Sequence, residues 1–135
     1  MYIVNDYIAF NTMPTTVKSV SVSDNVCNQE SLKEWTLEFW PNLESLEIGS
    51  YCFKYCKLLT LKSLFKLKTF VVGKLCFTER TFEEVDAEKI GVSDGGLVIE
   101  NCTLLNSIDI GPMSFADASV FQLKSSGSER LRRKI

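Results

Sequence analysis

The chain has 135 residues, a length that suits one compact domain or a segment of a longer array. Its 15 basic and 17 acidic residues leave a formal net charge of −2, so no strong field attracts nucleic acid or an anionic membrane. The chain contains no histidine, which excludes Cys/His zinc sites and nucleophiles activated by histidine.

The N-terminal segment, residues 1–14, is interpreted as a lead-in in which Tyr7 and Phe10 cover the first repeat of the chain. It begins Met1-Tyr-Ile-Val-Asn-Asp6, without the basic and uninterrupted apolar stretches of a secretory signal. No apolar run approaches the roughly 20 residues of a membrane span. We therefore expect a cytoplasmic protein without a membrane span, and a cell-surface location stays open if the natural chain carries a signal upstream.

One apolar pattern occurs four times between residues 15 and 126. Successive copies start 26, 24 and 38 residues apart, and the last step is one 24-residue period plus an insertion of 14 residues. A period in this range is typical of a solenoid, in which each unit buries its apolar face against its neighbours. The copies are Val17-x-x-Val20-x-Val22, Leu43-x-x-Leu46-x-Ile48, Leu67-x-x-Phe70-x-Val72 and Leu105-x-x-Ile108-x-Ile110.

Each repeat is predicted to contribute two strands. Alternation such as Leu46-x-Ile48 indicates a strand with one buried face, and a second alternating pair completes each unit. These pairs are Trp35-x-Leu37, Leu59-x-Leu61, Leu97-x-Ile99 and Phe121-x-Leu123. The residues directly after them alternate in charge, which favours their alignment on adjacent strands: Glu38, Lys62, Glu100 and Lys124. The predicted fold is mostly β, a solenoid of about four coils with two parallel sheets and one short helical insertion.

A glycine and a phenylalanine follow the strand pattern in the last three repeats. The glycine is predicted to allow a sharp turn, after which the phenylalanine enters the interior. The pairs are Gly49 and Phe53, Gly73 and Phe77, and Gly111 and Phe115. Five cysteines form an odd set without CxxC spacing, so we interpret them as small buried residues of a reducing compartment: Cys27, Cys52, Cys56, Cys76 and Cys102.

These residues resemble a leucine-rich repeat. The first copy fits the consensus L-x-x-L-x-L-x-x-N/C-x-L with Val17, Val20, Val22, Asn25 and Cys27. Later copies replace the Asn with Tyr51, Leu75 and Met113, and end in phenylalanine. With Cys56 three residues beyond Phe53, this is similar to the BspA-like branch, whose coils carry an F-x-x-C segment. The resemblance implies a binding scaffold without catalytic residues. Loss of the Asn ladder predicts that phenylalanine packing and other turn hydrogen bonds replace it.

The insertion, placed at residues 78–96, interrupts the repeat. Its Thr81-x-x-Glu84 pattern predicts a short helix around 82–90, and Ser93–Gly96 is expected to be a turn. Residues 127–135 form a basic tail, for which solvation, contact with acidic partners and contact with lipid headgroups all stay open. Ser126 and Glu129 stand where a further coil needs apolar residues, so no fifth coil is expected.

The outward positions of the first sheet are the candidate partner-binding residues. One row holds Ser19, Ser45, Thr69 and Ser107, and the next holds Ser21, Glu47, Val71 and Asp109. A solvated sheet without a ligand is the alternative interpretation. Glu47 and Asp109 lie about 10 Å apart with a strand between them, and Val71 separates them, so glycoside hydrolysis is not favoured.

The sequence contains no GxSxG, phosphate-loop or GxGxxG motif, and we expect no enzyme, cofactor or metal site. The predicted function is a non-catalytic leucine-rich-repeat interaction module that binds a protein, not nucleic acid, through the sheet face and the insertion. The alternative is a structural or self-assembling spacer segment of a longer repeat protein, joined end to end.

Overall fold

The computed structural model describes residues 1–80, 93–116 and 118–124. The protein is mostly β, with two parallel sheets and little helix among these residues. In chain order the elements are β1 (Tyr2–Val4), α1 (Tyr7–Asn11), β2 (Ser19–Val22), β3 (Glu34–Glu38), β4 (Ser45–Ile48), β5 (Leu58–Lys62), β6 (Thr69–Val72), β7 (Ser93–Glu100), β8 (Ser107–Ile110) and β9 (Ala118–Lys124).

From β2 onward the chain alternates between the two sheets. The first sheet has the strand order β1-β2-β4-β6-β8, the second has the order β3-β5-β7-β9, and all pairings are parallel. Leu46 is the partner of Phe70, and Phe70 is the partner of Ile108, so the predicted register is confirmed. The four residues of alternating charge, Glu38, Lys62, Glu100 and Lys124, are also aligned as predicted.

The core lies between the two sheets because alternate residues of each strand point inward. In β4, Leu46 and Ile48 are buried while Glu47 is exposed, and β5 buries Leu59 and Leu61 in the same way. Phenylalanine rings stack in a column at the bend between the sheets. The Phe77 ring lies 4.9 Å from that of Phe53 and 4.5 Å from that of Phe115, with interplanar angles of 4°. The predicted entry of these phenylalanines into the interior is confirmed.

The turn after each first-sheet strand is built from residues with left-handed φ that are not glycine. Tyr51 and Phe53 have φ values of 61° and 57°. The same pair of positions is left-handed in the other repeats, at Asn25 and Cys27, Leu75 and Phe77, and Met113 and Phe115. Hydrogen bonds to equivalent turns offset the strain of this conformation: the Tyr51 amide donates to the Lys74 carbonyl at 2.9 Å, and the Phe77 amide to the Cys52 carbonyl at 3.1 Å.

The glycines at the start of these turns have a different role from the predicted one. Gly49, Gly73 and Gly111 do not have positive φ, so the prediction that they supply the sharp turn is wrong. A Cβ on Gly73 would lie 2.6 Å from the Ser50 Oγ and 2.7 Å from the Ser50 amide nitrogen. The glycines are needed because successive turns lie against one another with no room for a side chain.

The N-terminal segment packs on the first repeat. β1 pairs with β2, and the Asp6 side chain caps α1 by accepting a hydrogen bond from the Ala9 amide at 2.7 Å. The Phe10 ring contacts Trp35 and Phe53 edge-to-face, at centroid distances of 5.0 and 5.6 Å. Neither β1 nor α1 was predicted, because each is too short to show a period.

The predicted turn at Ser93–Gly96 is wrong. These residues begin β7, with a register irregularity between Ser93 and Gly96. A Cβ on Gly95 would collide with the Lys57 carbonyl, and one on Gly96 with the Val120 carbonyl, so the two glycines permit close approach of neighbouring strands. The predicted helix at 82–90 and the tail from residue 127 lie outside the described residues.

Candidate interaction face

The outward surface of the first sheet, here called the interaction face, carries two rows of side chains in register. The hydroxyl row consists of Ser19, Ser45, Thr69 and Ser107, and the acidic row consists of Ile3, Ser21, Glu47, Val71 and Asp109. All eight residues predicted from the sequence are therefore brought together as expected, one step apart on adjacent strands. Their role in binding stays a prediction.

The hydroxyl row is flat, and two of its hydroxyl groups form a hydrogen bond with each other. The Ser19 and Ser45 hydroxyl oxygens lie 2.7 Å apart and share a hydrogen bond across β2 and β4. Thr69 is half-buried and Ser107 is exposed. Small hydroxyl side chains leave backbone and side-chain polar groups accessible to a partner that approaches the sheet.

In the acidic row the half-buried Val71 lies between the exposed carboxylates of Glu47 and Asp109. Among the residues that the structure describes, the ion pairs join Lys57 to Glu79, Lys62 to Glu38, and Lys68 to Glu44. Neither Glu47 nor Asp109 takes part in them. Both charges are thus open to a cationic or hydrogen-bond-donating partner, at a separation of about 10 Å set by two strand spacings.

Ile3 at the end of the acidic row was missed by sequence reasoning. Its side chain is 57% exposed and lies beside Ser21. β1 has three residues and precedes the first recognisable repeat, so no apolar period indicated it. Together with Val71, Ile3 adds an apolar contact to an otherwise polar surface.

A shallow depression of about 410 Å³ opens where the first-sheet strands end. Its lining includes Glu47 of the acidic row, and its other residues are Ser21, Val22, Ser23, Asp24, Ile48, Gly49, Val71 and Gly73. The Asp24 carboxylate is held in place because it accepts a hydrogen bond from the Ser50 amide at 2.8 Å.

A ladder of thiol and hydroxyl donors supports the turns beneath this depression. The Cys52 thiol donates to the Ser23 carbonyl at 3.0 Å, and the Cys76 thiol to the Gly49 carbonyl at 2.9 Å. Ser114 stands at the same position of the last repeat, and its hydroxyl donates to the Gly73 carbonyl at 2.6 Å. Side-chain donors at equivalent positions thus link each of these turns to the turn before it.

All five cysteines are free and buried, as predicted. Desolvation raises the pKa of Cys27 and of Cys56 to about 12, and burial also raises the pKa of Cys102. Hydrogen bonding to Cys52, together with burial, raises the pKa of Cys76. Hydrogen bonding to Cys76 lowers the pKa of Cys52. All five thiols are shielded from solvent, which suits packing and hydrogen bonding, whereas a nucleophile needs an accessible thiolate.

Comparisons with known proteins give no indication of function, so the function is argued from the geometry of the interaction face. No family model, curated protein or solved structure matches the chain. Within the described residues, no group of three or more Cys, Asp or Glu side chains is arranged to hold a metal ion. No helix in the same part of the chain has the length and apolarity for crossing a membrane. The chemistry at the face is hydrogen bonding, charge pairing and limited apolar contact.

Proposed function

We propose that the protein is a non-catalytic interaction module of the leucine-rich-repeat type that binds a protein partner through the interaction face. The observation that carries the proposal is the alignment of two polar rows across neighbouring strands, with two exposed carboxylates that lack ion-pair partners among the described residues. A rigid sheet holds these groups at fixed spacing, so a partner meets a pre-organised surface.

Three features support the repeat assignment. The strands of successive repeats pair in register, the phenylalanine column follows the same period, and the turn donors occupy equivalent positions. Each feature links one unit to the next, which is how solenoid repeats stabilise one another. The F-x-x-C segment beginning at Phe53 favours the BspA-like branch, with Cys56 buried behind the turn.

The non-catalytic part of the proposal depends on what surrounds the reactive groups. Glu47 and Asp109 are exposed on a flat sheet with Val71 between them, and no pocket wall excludes water from both. Without histidine in the chain, the row hydroxyls lack the usual general base. Groups arranged in this way recognise a partner by pairing and hydrogen bonding.

The proposal is tested by a triple variant at the centre of the interaction face, Ser45→Ala, Glu47→Ala and Thr69→Ala. Its control carries Glu34→Ala, Thr36→Ala and Gln122→Ala on the outward surface of the second sheet. Partners captured from lysate by the unmodified protein are identified, and the affinity of each purified partner is then measured for all three proteins. We expect the face variant to weaken binding about 10-fold or more and the control to bind normally.

Equal affinity of the face variant and the unmodified protein for every partner would exclude this face as the site. In that case the chain segment between β6 and β7, which contains most of the predicted insertion, is the next part of the sequence to test. Circular dichroism and urea unfolding of both variants show whether the fold is retained, so that a loss of binding is not confused with a loss of structure.

A further inference from the structure

Another depression lies along the turns that follow the first-sheet strands. It has a volume of about 350 Å³ and extends across the turns of three successive repeats. It is here called the basic cleft, and its lining consists of Asn25, Asn28, Tyr51, Lys54, Leu75, Thr78 and Arg80. Small-molecule sites in proteins occupy about 300–1,000 Å³, so the basic cleft has the size for a small ligand.

Equivalent positions of the three repeats build the basic cleft as two rows. The first row holds Asn25, Tyr51 and Leu75, and the second row holds Asn28, Lys54 and Thr78. The first-row residues all have left-handed φ, with values of 58°, 61° and 53°. Between the rows the chain turns inward, as at Cys52 and Phe53, which are fully buried. Leu75 is 5% exposed but lies apart from the core cluster, so it contributes an apolar surface to the cleft.

The basic cleft contains positive charges without a carboxylate among the described residues that line it. Lys54 is half-buried and Arg80 is 8% exposed, so both side chains belong to the walls of the cleft. By contrast, the depression where the first-sheet strands end is lined by Asp24 and Glu47. The ion pairs within the described part of the chain involve other lysines than Lys54. Cations that are partly shielded from solvent are screened weakly by salt, so they favour an anionic ligand.

Arg80 is positioned by a short turn. Its amide donates to the Thr78 hydroxyl oxygen at 3.2 Å, and Thr78 itself is 3% exposed. A guanidinium carries five N–H donors in a planar fork, so it can keep a structural partner and still donate to a ligand. The fork matches the oxygens of a phosphate group, to which it donates two parallel hydrogen bonds.

Tyr51 supplies an aromatic wall beside these charges. Its side chain is 38% exposed, and the Lys74 ammonium lies 5.7 Å from the ring centroid, within the range of a cation–π contact. The Asn28 side chain holds the neighbouring turn in place: it donates to the Tyr51 carbonyl and accepts from the Lys54 amide, both at 2.9 Å. The ring and the ammonium-bearing residue are therefore presented from a turn that is fixed at both positions.

We infer that the basic cleft binds a small molecule that carries a phosphate group next to an aromatic ring. The phosphate accepts hydrogen bonds from Arg80 and Lys54, and the aromatic ring packs against Tyr51. A phosphate monoester carries about −1.5 to −2 charges at neutral pH, which matches two cations better than a single carboxylate does. The inference does not depend on the proposed function, because the basic cleft and the interaction face share no residue.

Titration of the full chain with phenyl phosphate at low ionic strength tests the inference. Calorimetry measures the affinity, and two-dimensional NMR spectra should show shifts of the Tyr51 and Lys54 amide signals. We expect phenyl phosphate to bind about 10-fold tighter than inorganic phosphate, because only the former contacts the aromatic wall. The affinity should fall as salt is added, since the attraction is electrostatic.

Two variants separate the charge from the ring. Lys54→Met keeps the length of the side chain and should weaken phenyl phosphate about 10-fold. Its control is Lys66→Met, which changes the net charge equally at an exposed position outside the cleft and should leave the affinity unchanged. Tyr51→Asn introduces the residue that the first repeat has in this left-handed position, so the turn is kept. It should abolish the preference for phenyl phosphate over inorganic phosphate.

Four results would overturn the inference. They are equal affinities of the unmodified protein for phenyl phosphate and inorganic phosphate, no measurable binding of either, equal effects of Lys54→Met and Lys66→Met, and tighter binding of a phosphotyrosine peptide than of phenyl phosphate. The last would assign the cleft to a protein segment. The triple variant of the interaction face should bind phenyl phosphate normally, so a failure of either proposal is distinguished from a failure of the other.

Discussion

Truncation of the central ring of the phenylalanine column is the sharpest test of how the repeats hold together. Phe77 is 5% exposed and stacks on Phe53 and Phe115, at 4.9 and 4.5 Å. Phe→Ala in a core costs about 3–5 kcal/mol, and each aromatic pair adds about 0.5–1.5 kcal/mol beyond burial. We expect Phe77→Ala to lower the free energy of unfolding by about 4–5 kcal/mol. That is a large part of the roughly 5–15 kcal/mol of a typical domain.

Urea unfolding measures this loss. With a slope of about 2 kcal/mol per molar urea, the midpoint should fall by about 2 M. Phe77→Leu keeps most of the apolar volume but removes both ring contacts, and we expect a smaller loss of about 1–2 kcal/mol. Phe65→Ala is the control, because this ring is 53% exposed and its removal should change stability by no more than about 0.5 kcal/mol. If Phe77→Ala and Phe65→Ala cost the same, the column does not link the repeats.

Three further predictions concern the turns and the thiols. Gly73→Ala should destabilise the protein by about 1–3 kcal/mol in thermal unfolding, since the new Cβ lies 2.6 Å from the Ser50 Oγ. Cys76→Ala should cost about 1 kcal/mol in urea unfolding, because the half-buried Gly49 carbonyl loses its donor. Stability should be full below pH 9 and fall as pH rises toward 12, since the Cys27 and Cys56 thiols have a pKa of about 12 when folded against an ordinary 9.0.

Each of these predictions has a matched control. Ser23 is the first-repeat equivalent of Gly73 and already carries a side chain, so Ser23→Ala should leave the melting temperature nearly unchanged. Cys76→Ser keeps a donor, as Ser114 does one repeat later, and should restore most of the loss. The alkaline loss should be about 1.4 kcal/mol per pH unit for each thiol, and Cys27→Ala combined with Cys56→Ala should reduce its slope, leaving the part due to Cys76 and Cys102, whose pKa values are also raised. An unchanged alkaline slope in that variant would assign the loss to other groups.

The strand register was predictable because several independent patterns agree. The 24-residue period, the alternation around Leu46 and the charge alternation from Glu38 to Lys124 all point to one alignment, and the structure adopts it. A one-residue slip would turn the apolar side chains outward, so the alternation also determines which residues form the interaction face.

The turn conformation was not predictable because tertiary contacts override local preference. Bulky residues such as Tyr51 and Phe53 rarely adopt left-handed φ, and nothing in their own chemistry indicates it. Amide hydrogen bonds to neighbouring turns and ring stacking stabilise the conformation once the repeats are in place. Gly49 and Gly95 were misinterpreted for a related reason, since their small size matters for contact with a neighbouring repeat rather than for their own dihedral angles.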